Sequence, residues 1–172
     1  CVACAHNCLL QTGESGRCRQ RSVHASGPVT PGGYVSGLAV DPIEKKPFYH
    51  VTPGRDTLTF GMLGCNMHCA FCQNWSSSQA GRDEHAGAAI MPISAERLAL
   101  LAHERNVKFI TSSYNEPTIS AEWFHEILHA AEPYGIRGMM VSNGLMRPEA
   151  FDLLKPHLAA VKIDLKGFHA GR

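Results

Sequence analysis

From residue 57 onward, hydrophobic and polar residues follow a repeating pattern of strands and helices. Four apolar runs are typical of buried strands: residues 57–63, 107–113, 138–142 and 160–166. Between them, three stretches place apolar side chains at helical spacing: residues 95–105, 120–131 and 148–155. Ser94 is a favourable N-cap for the first helix, and Pro148 suits the first turn of the third. Strands separated by helices predict an α/β fold with parallel neighbours and right-handed crossovers.

The first 56 residues follow a different pattern. Four cysteines and two glycines lie within residues 1–18. Frequent Gly and Pro then surround two short β-prone pieces at residues 34–40 and 48–51. We therefore expect a Cys-rich N-terminal extension with short β-hairpin segments over residues 1–56, followed by an α/β portion over residues 57–172. Within this second portion, residues 75–92 predict a long loop that covers a functional site or moves.

Unusual polar sequences follow three of the predicted strands. The first strand leads into Cys65, Cys69 and Cys72. The second leads into residues 113–117, SYNEP, and the third ends at residues 142–144, SNG. Because the C-terminal ends of parallel strands meet at one edge of a sheet, where such folds bind ligands, we expect these three groups to converge on one site.

The spacing of Cys65, Cys69 and Cys72 forms a CxxxCxxC motif. A [4Fe–4S] cluster is normally held by four cysteines, so three thiolates would leave one iron open to another ligand. The remaining cysteines lie far upstream in the sequence. A zinc site completed by His68 or His6, or a set of buried thiols, is the alternative interpretation. Zinc sites usually use paired CxxC units, and His68 directly precedes Cys69, so the pattern favours the cluster.

The wider sequence of residues 64–75, GCNMHCAFCQNW, has an aromatic residue, Phe71, between its last two cysteines. It resembles the signature of radical S-adenosylmethionine (radical SAM) enzymes. It is similar in particular to the radical SAM enzymes of the AmmeMemoRadiSam system, relatives of the pyruvate formate-lyase activating enzymes. The run DPIEKKP at residues 41–47 and the Cys-rich N-terminus match the same family. The resemblance implies a partial parallel (β/α) barrel, apparently truncated after about four strands.

The resemblance also implies roles for polar residues at the strand ends. Glu116, preceded by Asn115, would be the counterpart of the Gly-Gly-Glu-type motif that holds the amino group of SAM, although both glycines are replaced. A carboxylate captures an ammonium group by charge-assisted hydrogen bonds. Ser142 and Asn143 would face the ribose and carboxylate of SAM, and Phe71 would pack against its adenine. An ordinary solvated turn is the alternative at both strand ends.

Along the last predicted strand, Lys162, Asp164 and Lys166 alternate with Ile163 and Leu165. Period two places the three polar side chains on one face of the strand. We expect Asp164 and Lys166 to line the interior or rim of the barrel and to contribute to the SAM site. A solvent-exposed face at a ragged edge is the alternative. Because no further strand follows in this chain, Ile163 and Leu165 are expected to be buried by helices alone.

The cofactors implied by the resemblance are a [4Fe–4S] cluster and SAM. The implied activity is reductive cleavage of SAM to a 5′-deoxyadenosyl radical that abstracts hydrogen from an unidentified substrate, a small molecule or a protein. An electron donor such as flavodoxin or ferredoxin is expected as a partner. Activation of a glycyl radical enzyme is a second enzymatic hypothesis. An iron–sulfur electron-transfer or metal-binding module is the non-enzymatic one. No catalytic residue is assigned beyond the cluster.

A second group of cysteines comprises Cys1, Cys4, Cys8 and Cys18. Their short spacings and intervening glycines predict a small knuckle holding one metal ion, either zinc or, as the sharper alternative, a second iron–sulfur cluster. The 7 cysteines thus divide into four and three, which favours metal binding in a reducing cytoplasm over disulfides. A net charge of +1 indicates no basic surface for nucleic acid, and no apolar run is long enough to cross a membrane.

Overall fold

The computed structural model describes residues 1–167. Its strands are β1 (Ser22–His24), β2 (Gly27–Val29), β3 (Tyr34–Val35), β4 (Gly37–Pro42), β5 (Asp56–Gly61), β6 (Met91–Pro92), β7 (Phe109–Ser112), β8 (Arg137–Ser142) and β9 (Leu158–Ile163). Its α-helices are α1 (Trp75–Ser78), α2 (Ala95–Glu104), α3 (Ala121–Ala131) and α4 (Pro148–Leu154). The predicted order of strands and helices after residue 57 is confirmed, except that α1 and β6 lie within the stretch predicted to be a loop.

One five-stranded sheet forms the centre of the fold, in the order β4-β5-β7-β8-β9. β5, β7, β8 and β9 are parallel neighbours, which confirms the predicted α/β architecture with a parallel sheet. β4 pairs antiparallel with β5, from Gly37 opposite Gly61 to Pro42 opposite Asp56. The Gly- and Pro-rich segment therefore supplies one edge strand of the main sheet. The division of the chain after residue 56 stays a prediction.

Helices α2 and α3 are held on one face of this sheet by apolar packing. The Phe60 ring in β5 is fully buried and makes edge-on contacts with Trp123 and Phe124 of α3, each at a centroid separation of 5.6 Å. Burying an apolar side chain of this size contributes roughly 1.5–3 kcal/mol. Ser94 caps α2 as predicted, because its hydroxyl accepts a 3.2 Å hydrogen bond from the backbone N–H of Arg97.

A smaller apolar cluster lies on the opposite face of the sheet and contains Ile43, Phe48, Phe109 and Met139. Successive strand residues point to opposite faces, so Phe109 and Met139 face away from the main core. Residues 48–51 form turns, and the prediction of a β-prone segment there is wrong. The backbone N–H of Phe48 bonds to the carbonyl of Ile43 at 3.2 Å, which directs the ring under the sheet without pairing to a strand.

Arg21 and Cys4 are among the residues that attach the N-terminal segment to the α/β portion. Arg21 donates to the Glu122 carboxylate at 2.7 and 2.6 Å and to the carbonyl of Ile119 at 3.0 Å. Cys4 forms an isolated β-bridge with Met146, in the loop after β8. The cysteine-rich beginning of the chain is therefore packed beside the C-terminal ends of the strands.

β9 forms the edge of the sheet opposite β4. Ile163 and Leu165 are 51% and 67% exposed, so the prediction that helices bury them is wrong. The reason is that β9 is an edge strand, and the main apolar core includes Leu158 and reaches Val161 but contains neither Ile163 nor Leu165. Nowhere in residues 1–167 does a helix have the length and apolar character needed to cross a membrane.

Candidate functional site

A cavity of about 320 Å³ opens at the C-terminal ends of β5, β7 and β8. Its lining includes all the residues that the sequence pattern and the resemblance indicate for the cluster loop and for SAM: Cys65, Cys69, Phe71, Cys72, Asn115, Glu116, Ser142, Asn143, Asp164 and Lys166. The structure thus brings these ten positions together at one edge of the sheet. Their individual roles stay predictions.

The loop after β5 presents its three cysteines to the cavity as free thiols. The backbone N–H of Met67 donates to the sulfur of Cys65 at 3.4 Å, and the sulfur of Cys72 lies 3.1 Å from the hydroxyl of Ser78. Burial raises the pKa of Cys65 to about 11, although the hydrogen bond from Met67 acts in the opposite direction. A thiol with a raised pKa is a poor nucleophile, whereas metal coordination deprotonates it outright. The raised pKa of Cys65 therefore argues against a free nucleophile at this position, and its role as a cluster ligand stays a prediction.

Arg82 holds the cysteine loop through backbone carbonyls. Its guanidinium donates to the carbonyl of Met67 at 2.6 Å and also to that of Cys65. It donates in addition to the carbonyl of Arg17 at 2.8 Å, next to Cys18. Burial lowers the pKa of Arg82, and the nearby Cys65 and Cys18 oppose that shift. One side chain therefore joins the predicted cluster loop to the N-terminal cysteine segment.

The carboxylate of Glu116 is the centre of a polar network on the cavity wall and is only 2% exposed. One of its oxygens accepts hydrogen bonds from the backbone N–H of Thr118 at 3.1 Å and from the hydroxyls of Thr118 and Ser142 at 2.5 and 2.8 Å. The other oxygen accepts the backbone N–H of Asn143 at 2.9 Å. This is the one donor found for the second oxygen in the described part of the chain, so this oxygen can accept a further hydrogen bond.

Two asparagines lie beside this carboxylate. The side-chain oxygen of Asn115 accepts the backbone N–H of Met62 at 3.0 Å, while its buried side-chain nitrogen has no partner within residues 1–167. The side-chain nitrogen of Asn143 donates to the side-chain oxygen of Asn66 at 2.7 Å and lies 3.9 Å from the sulfur of Cys65. A buried donor without an acceptor costs free energy. One residue of the cavity wall, Asn115, therefore carries a buried donor left unpaired within the described residues.

Asp164 and Lys166 lie where the chain leaves β9. The backbone N–H of Asp164 donates to the carbonyl of Ser142 at 2.8 Å. Its carboxylate forms ion pairs with Lys162 and, at 3.1 Å, with Lys166. The three polar side chains thus contact one another, as a common face of the chain predicts. Phe71 lines the same cavity and is 68% exposed.

The four N-terminal cysteines differ in their exposure. Cys4 and Cys18 are buried, and Cys1 is exposed. A Cβ placed on Gly16 would lie in ordinary contact with two of their sulfurs, 3.7 Å from that of Cys8 and 3.8 Å from that of Cys18, so both sulfurs lie beside this glycine. Within residues 1–167, no group of three or more His, Cys, Asp or Glu side chains is arranged to hold a metal ion. The zinc interpretation therefore gains no support from the structure.

The cavity also contains residues to which the sequence pattern assigned no role: Met67, Gln73, Asn74, Ser78, Gln79, Ser113, Tyr114 and Val141. Gln73 and Asn74 directly follow Cys72, so their position next to the motif could have indicated that they line the cavity. Ser78 and Gln79 lie at the end of α1, inside a stretch predicted to be a loop, and no periodicity pointed to them.

One known family accounts for most of the α/β portion. The Radical SAM superfamily matches residues 60–170, more than half of the chain, and the chain belongs to that superfamily. Its members are generally enzymes and typically bind a [4Fe–4S] cluster and SAM. The resemblance noted in the sequence is thereby confirmed at the level of the superfamily.

A particular relative is known from an archaeon. The chain is 34% identical over 169 residues to "Uncharacterized protein MJ0808" of Methanocaldococcus jannaschii. The similarity covers 97% of this chain and 49% of the relative, so the chain spans about half the length of the protein that it matches.

Proposed function

We propose that this chain forms the cluster-binding and SAM-binding part of an enzyme that cleaves SAM reductively and abstracts hydrogen from a substrate. The observation that carries the proposal is the shared cavity, because the three motif cysteines and the polar residues predicted for SAM line the same space of about 320 Å³. Membership of the superfamily supports the same chemistry. A protein that only transferred electrons would have no use for a polar cavity beside its cluster.

The three cysteines fit an iron–sulfur cluster better than they fit a single metal ion. A single ion draws its ligand atoms to one point, and no three such ligands converge in this way in the described chain. In a [4Fe–4S] cube each cysteine binds a different iron, so its ligands surround a volume. Cys65, Cys69 and Cys72 do line a common volume, and among residues 1–167 no fourth cysteine lines this cavity.

The polar wall of the cavity fits the amino acid end of SAM. The less occupied oxygen of Glu116 would accept the ammonium group, and a charge-assisted hydrogen bond there would be strong because the carboxylate is buried. The unpartnered nitrogen of Asn115 supplies a donor for the carboxylate of SAM. Ser142 and Asn143 would add contacts to the carboxylate and ribose, and Phe71 would cover the adenine.

When both are bound, the cluster and SAM supply a 5′-deoxyadenosyl radical that abstracts hydrogen from a substrate. The residues of this chain bind and orient SAM, and the cavity walls limit the access of water. Asp164 and Lys166 lie at the side of the cavity where β9 ends, and we assign them to the boundary between SAM and substrate. A flavodoxin or a ferredoxin would supply the electron, and the substrate is a small molecule or a protein.

We further infer membership of the AmmeMemoRadiSam branch and a partial (β/α) barrel. The sequences at residues 41–47 and 64–75 support the branch. Four parallel strands with helices on one face support the barrel. Seven free cysteines support a reducing, cytoplasmic location. For Cys1, Cys4, Cys8 and Cys18, the proposal that remains is a second iron–sulfur site.

The test is anaerobic reconstitution of the 172-residue chain with iron and sulfide, followed by reduction with dithionite in the presence of SAM. We expect SAM to bind and 5′-deoxyadenosine to form. The Cys69→Ala chain, treated in the same way, should form none. A reconstituted chain that holds a reducible cluster but neither binds nor cleaves SAM would favour the electron-transfer module and refute the proposal.

A further inference from the structure

The run DPIEKKP at residues 41–47 contains a buried ion pair. The carboxylate of Asp41 lies 3.1 Å from the ammonium of Lys46, and each side chain is 6% exposed. The neighbouring Lys45 contacts the other carboxylate oxygen at 2.7 Å, but its side chain is 65% exposed. A charge is removed from water only at a substantial cost in free energy, so Lys46 needs close partners in a way that Lys45 does not.

Both members of the pair bind the same third residue. The hydroxyl of Tyr114 donates to Asp41 at 3.2 Å and accepts from Lys46 at 3.2 Å. The ammonium of Lys46 also lies 4.3 Å from the centroid of the Tyr114 ring, within the range of a cation–π contact. The buried pair therefore contacts both the hydroxyl and one face of the Tyr114 ring.

The backbone of Tyr114 is held in a conformation that non-glycine residues seldom adopt, with a φ of +72°. Its ring lies against two paired glycines at the ends of β4 and β5. A Cβ on Gly61 would lie 2.7 Å from the ring, and one on Gly37 would lie 3.6 Å from it. Unfavourable backbone conformations persist where the surrounding structure overdetermines them, and they concentrate at functional sites.

Tyr114 directly precedes the residues assigned to SAM. Asn115 is tied to the end of β5 through the backbone N–H of Met62, and Glu116 is tied to the end of β8 through the backbone N–H of Asn143. A rotation at Tyr114 would move both of these side chains. The network of Asp41, Lys46 and Tyr114 is thus placed to set the direction in which the chain enters the cavity wall.

We propose that the buried Asp41–Lys46 pair is a positioning device that locks Tyr114 and thereby aligns Asn115 and Glu116 with bound SAM. Lys46 and Asp41 are positioning residues, since neither lines the cavity. The proposal assigns a role to the 41–47 run, and its link to SAM rests on the proposed function.

The first test needs no ligand and compares Lys46→Met with Lys45→Met, which removes the exposed ammonium from the same carboxylate. Amide hydrogen exchange is measured at Met62 and Asn143, whose N–H groups report Asn115 and Glu116 directly, with Ile127 in α3 as the reference. Lys46→Met should accelerate exchange at the two reporters about tenfold more than at Ile127, whose exchange follows the stability of the whole core. Lys45→Met should change all three by less than about twofold.

The second test measures the Kd for SAM of the reconstituted chain. We expect Lys46→Met to weaken binding by about tenfold or more, as supporting residues of bound sites do, and Lys46→Arg to recover part of the loss. Tyr114→Phe removes only the hydroxyl that both charged groups bind. It should accelerate hydrogen exchange at the same two amides, and it replaces Lys46→Met as the test if that variant does not fold.

The outcomes separate the two proposals. Unchanged exchange at both reporters, or equal acceleration at the reporters and at Ile127, would overturn the positioning role. A wild-type chain that binds no SAM would refute the proposed function, while the exchange comparison would still decide whether the pair positions Asn115 and Glu116.

Discussion

The carboxylate of Glu116 accepts a 2.8 Å hydrogen bond from the hydroxyl of Ser142, although 26 residues separate the two along the chain. The bond joins the loop after β7 to the loop after β8, and both residues are buried. Because the two loops are connected before any ligand arrives, little ordering remains to be done on binding. Prior ordering of this kind raises affinity by lowering the entropy cost of association.

Glu116→Gln should therefore reduce both stability and SAM binding. The amide would place a donor in front of groups that already donate, and leaving buried donors unpaired costs about 1–3 kcal/mol. The loss of negative charge would also weaken the capture of an ammonium group. Urea unfolding and SAM titration measure the two effects.

Glu149→Gln is the control for this substitution, because Glu149 is an exposed carboxylate paired with Arg147. It should change the free energy of unfolding by less than about 0.5 kcal/mol and leave SAM binding unchanged. Equal SAM affinity in wild type and Glu116→Gln would show that this carboxylate has no part in binding.

The order of strands and helices could be predicted from the sequence because it depends on local periodicity. Ser94 illustrates this, since an N-cap needs only a side chain and the three residues after it. The pairing of β4 with β5 could not be predicted in the same way. It depends on pairs of residues from Gly37 opposite Gly61 to Pro42 opposite Asp56, and these partners are too far apart along the chain for a local periodicity to reveal them.

The site was predictable to the extent that its residues directly follow strands. Topology then brings them to one edge whatever their neighbours are, which is why Glu116 and Asn143 were found together. Lys46 lacks such a signal, because a lysine beside another lysine in a loop looks solvated. Its burial arises from a tertiary contact with Tyr114.

The cluster assignment predicts a selective loss of iron. Cys69→Ala should abolish the cluster of the CxxxCxxC motif after reconstitution and leave the N-terminal site in place, because two thiolates cannot hold the cube in place of three. The fold should survive, since Cys69 is only partly buried. Iron and sulfide analysis with circular dichroism checks both statements.

Cys8→Ala serves as the matched control, because Cys8 is also a partly buried free thiol but lies in the N-terminal group. It should leave the cluster of the CxxxCxxC motif intact. An iron content in Cys69→Ala equal to that of wild type would show that the assignment of this cysteine is wrong.

The close contact between the Tyr114 ring and Gly61 can be tested with two glycine substitutions. Gly61→Ala would place a methyl group 2.7 Å from the Tyr114 ring and 3.0 Å from the carbonyl of Ser113. Gly138→Ala would place one 2.6 Å from Leu128 in the core. Overpacking of this kind costs about 1–3 kcal/mol, so both variants should unfold at lower urea concentrations.

Only Gly61→Ala should also weaken SAM binding, because the clash at Gly138 is with a core leucine and not with the cavity wall. SAM titration of both variants, at a temperature where each is folded, measures the difference. Equal affinity in the two variants would count against a role for the Tyr114 ring.

A cluster of histidines away from the cavity predicts how stability depends on pH. Burial lowers the pKa of His125 below its ordinary value of 6.5, and the proximity of His157 and His129 lowers it further. Glu132 contacts His157 at 2.9 Å and His129 at 3.3 Å. The unfolded chain therefore binds a proton at His125 more readily than the folded chain does.

It follows that the contribution of His125 to stability is complete above pH 6.5 and is lost as the pH falls towards its lower folded pKa. The side chain introduced by His125→Gln cannot be protonated. The unfolding free energy of wild type minus that of this variant should therefore fall as the pH is lowered from 7 to 5. His24→Gln, which changes an exposed histidine on β1, is the control for the exchange of a histidine for glutamine. Urea midpoints at pH 7, 6 and 5 measure this directly, and parallel curves for wild type and His125→Gln would contradict the assignment.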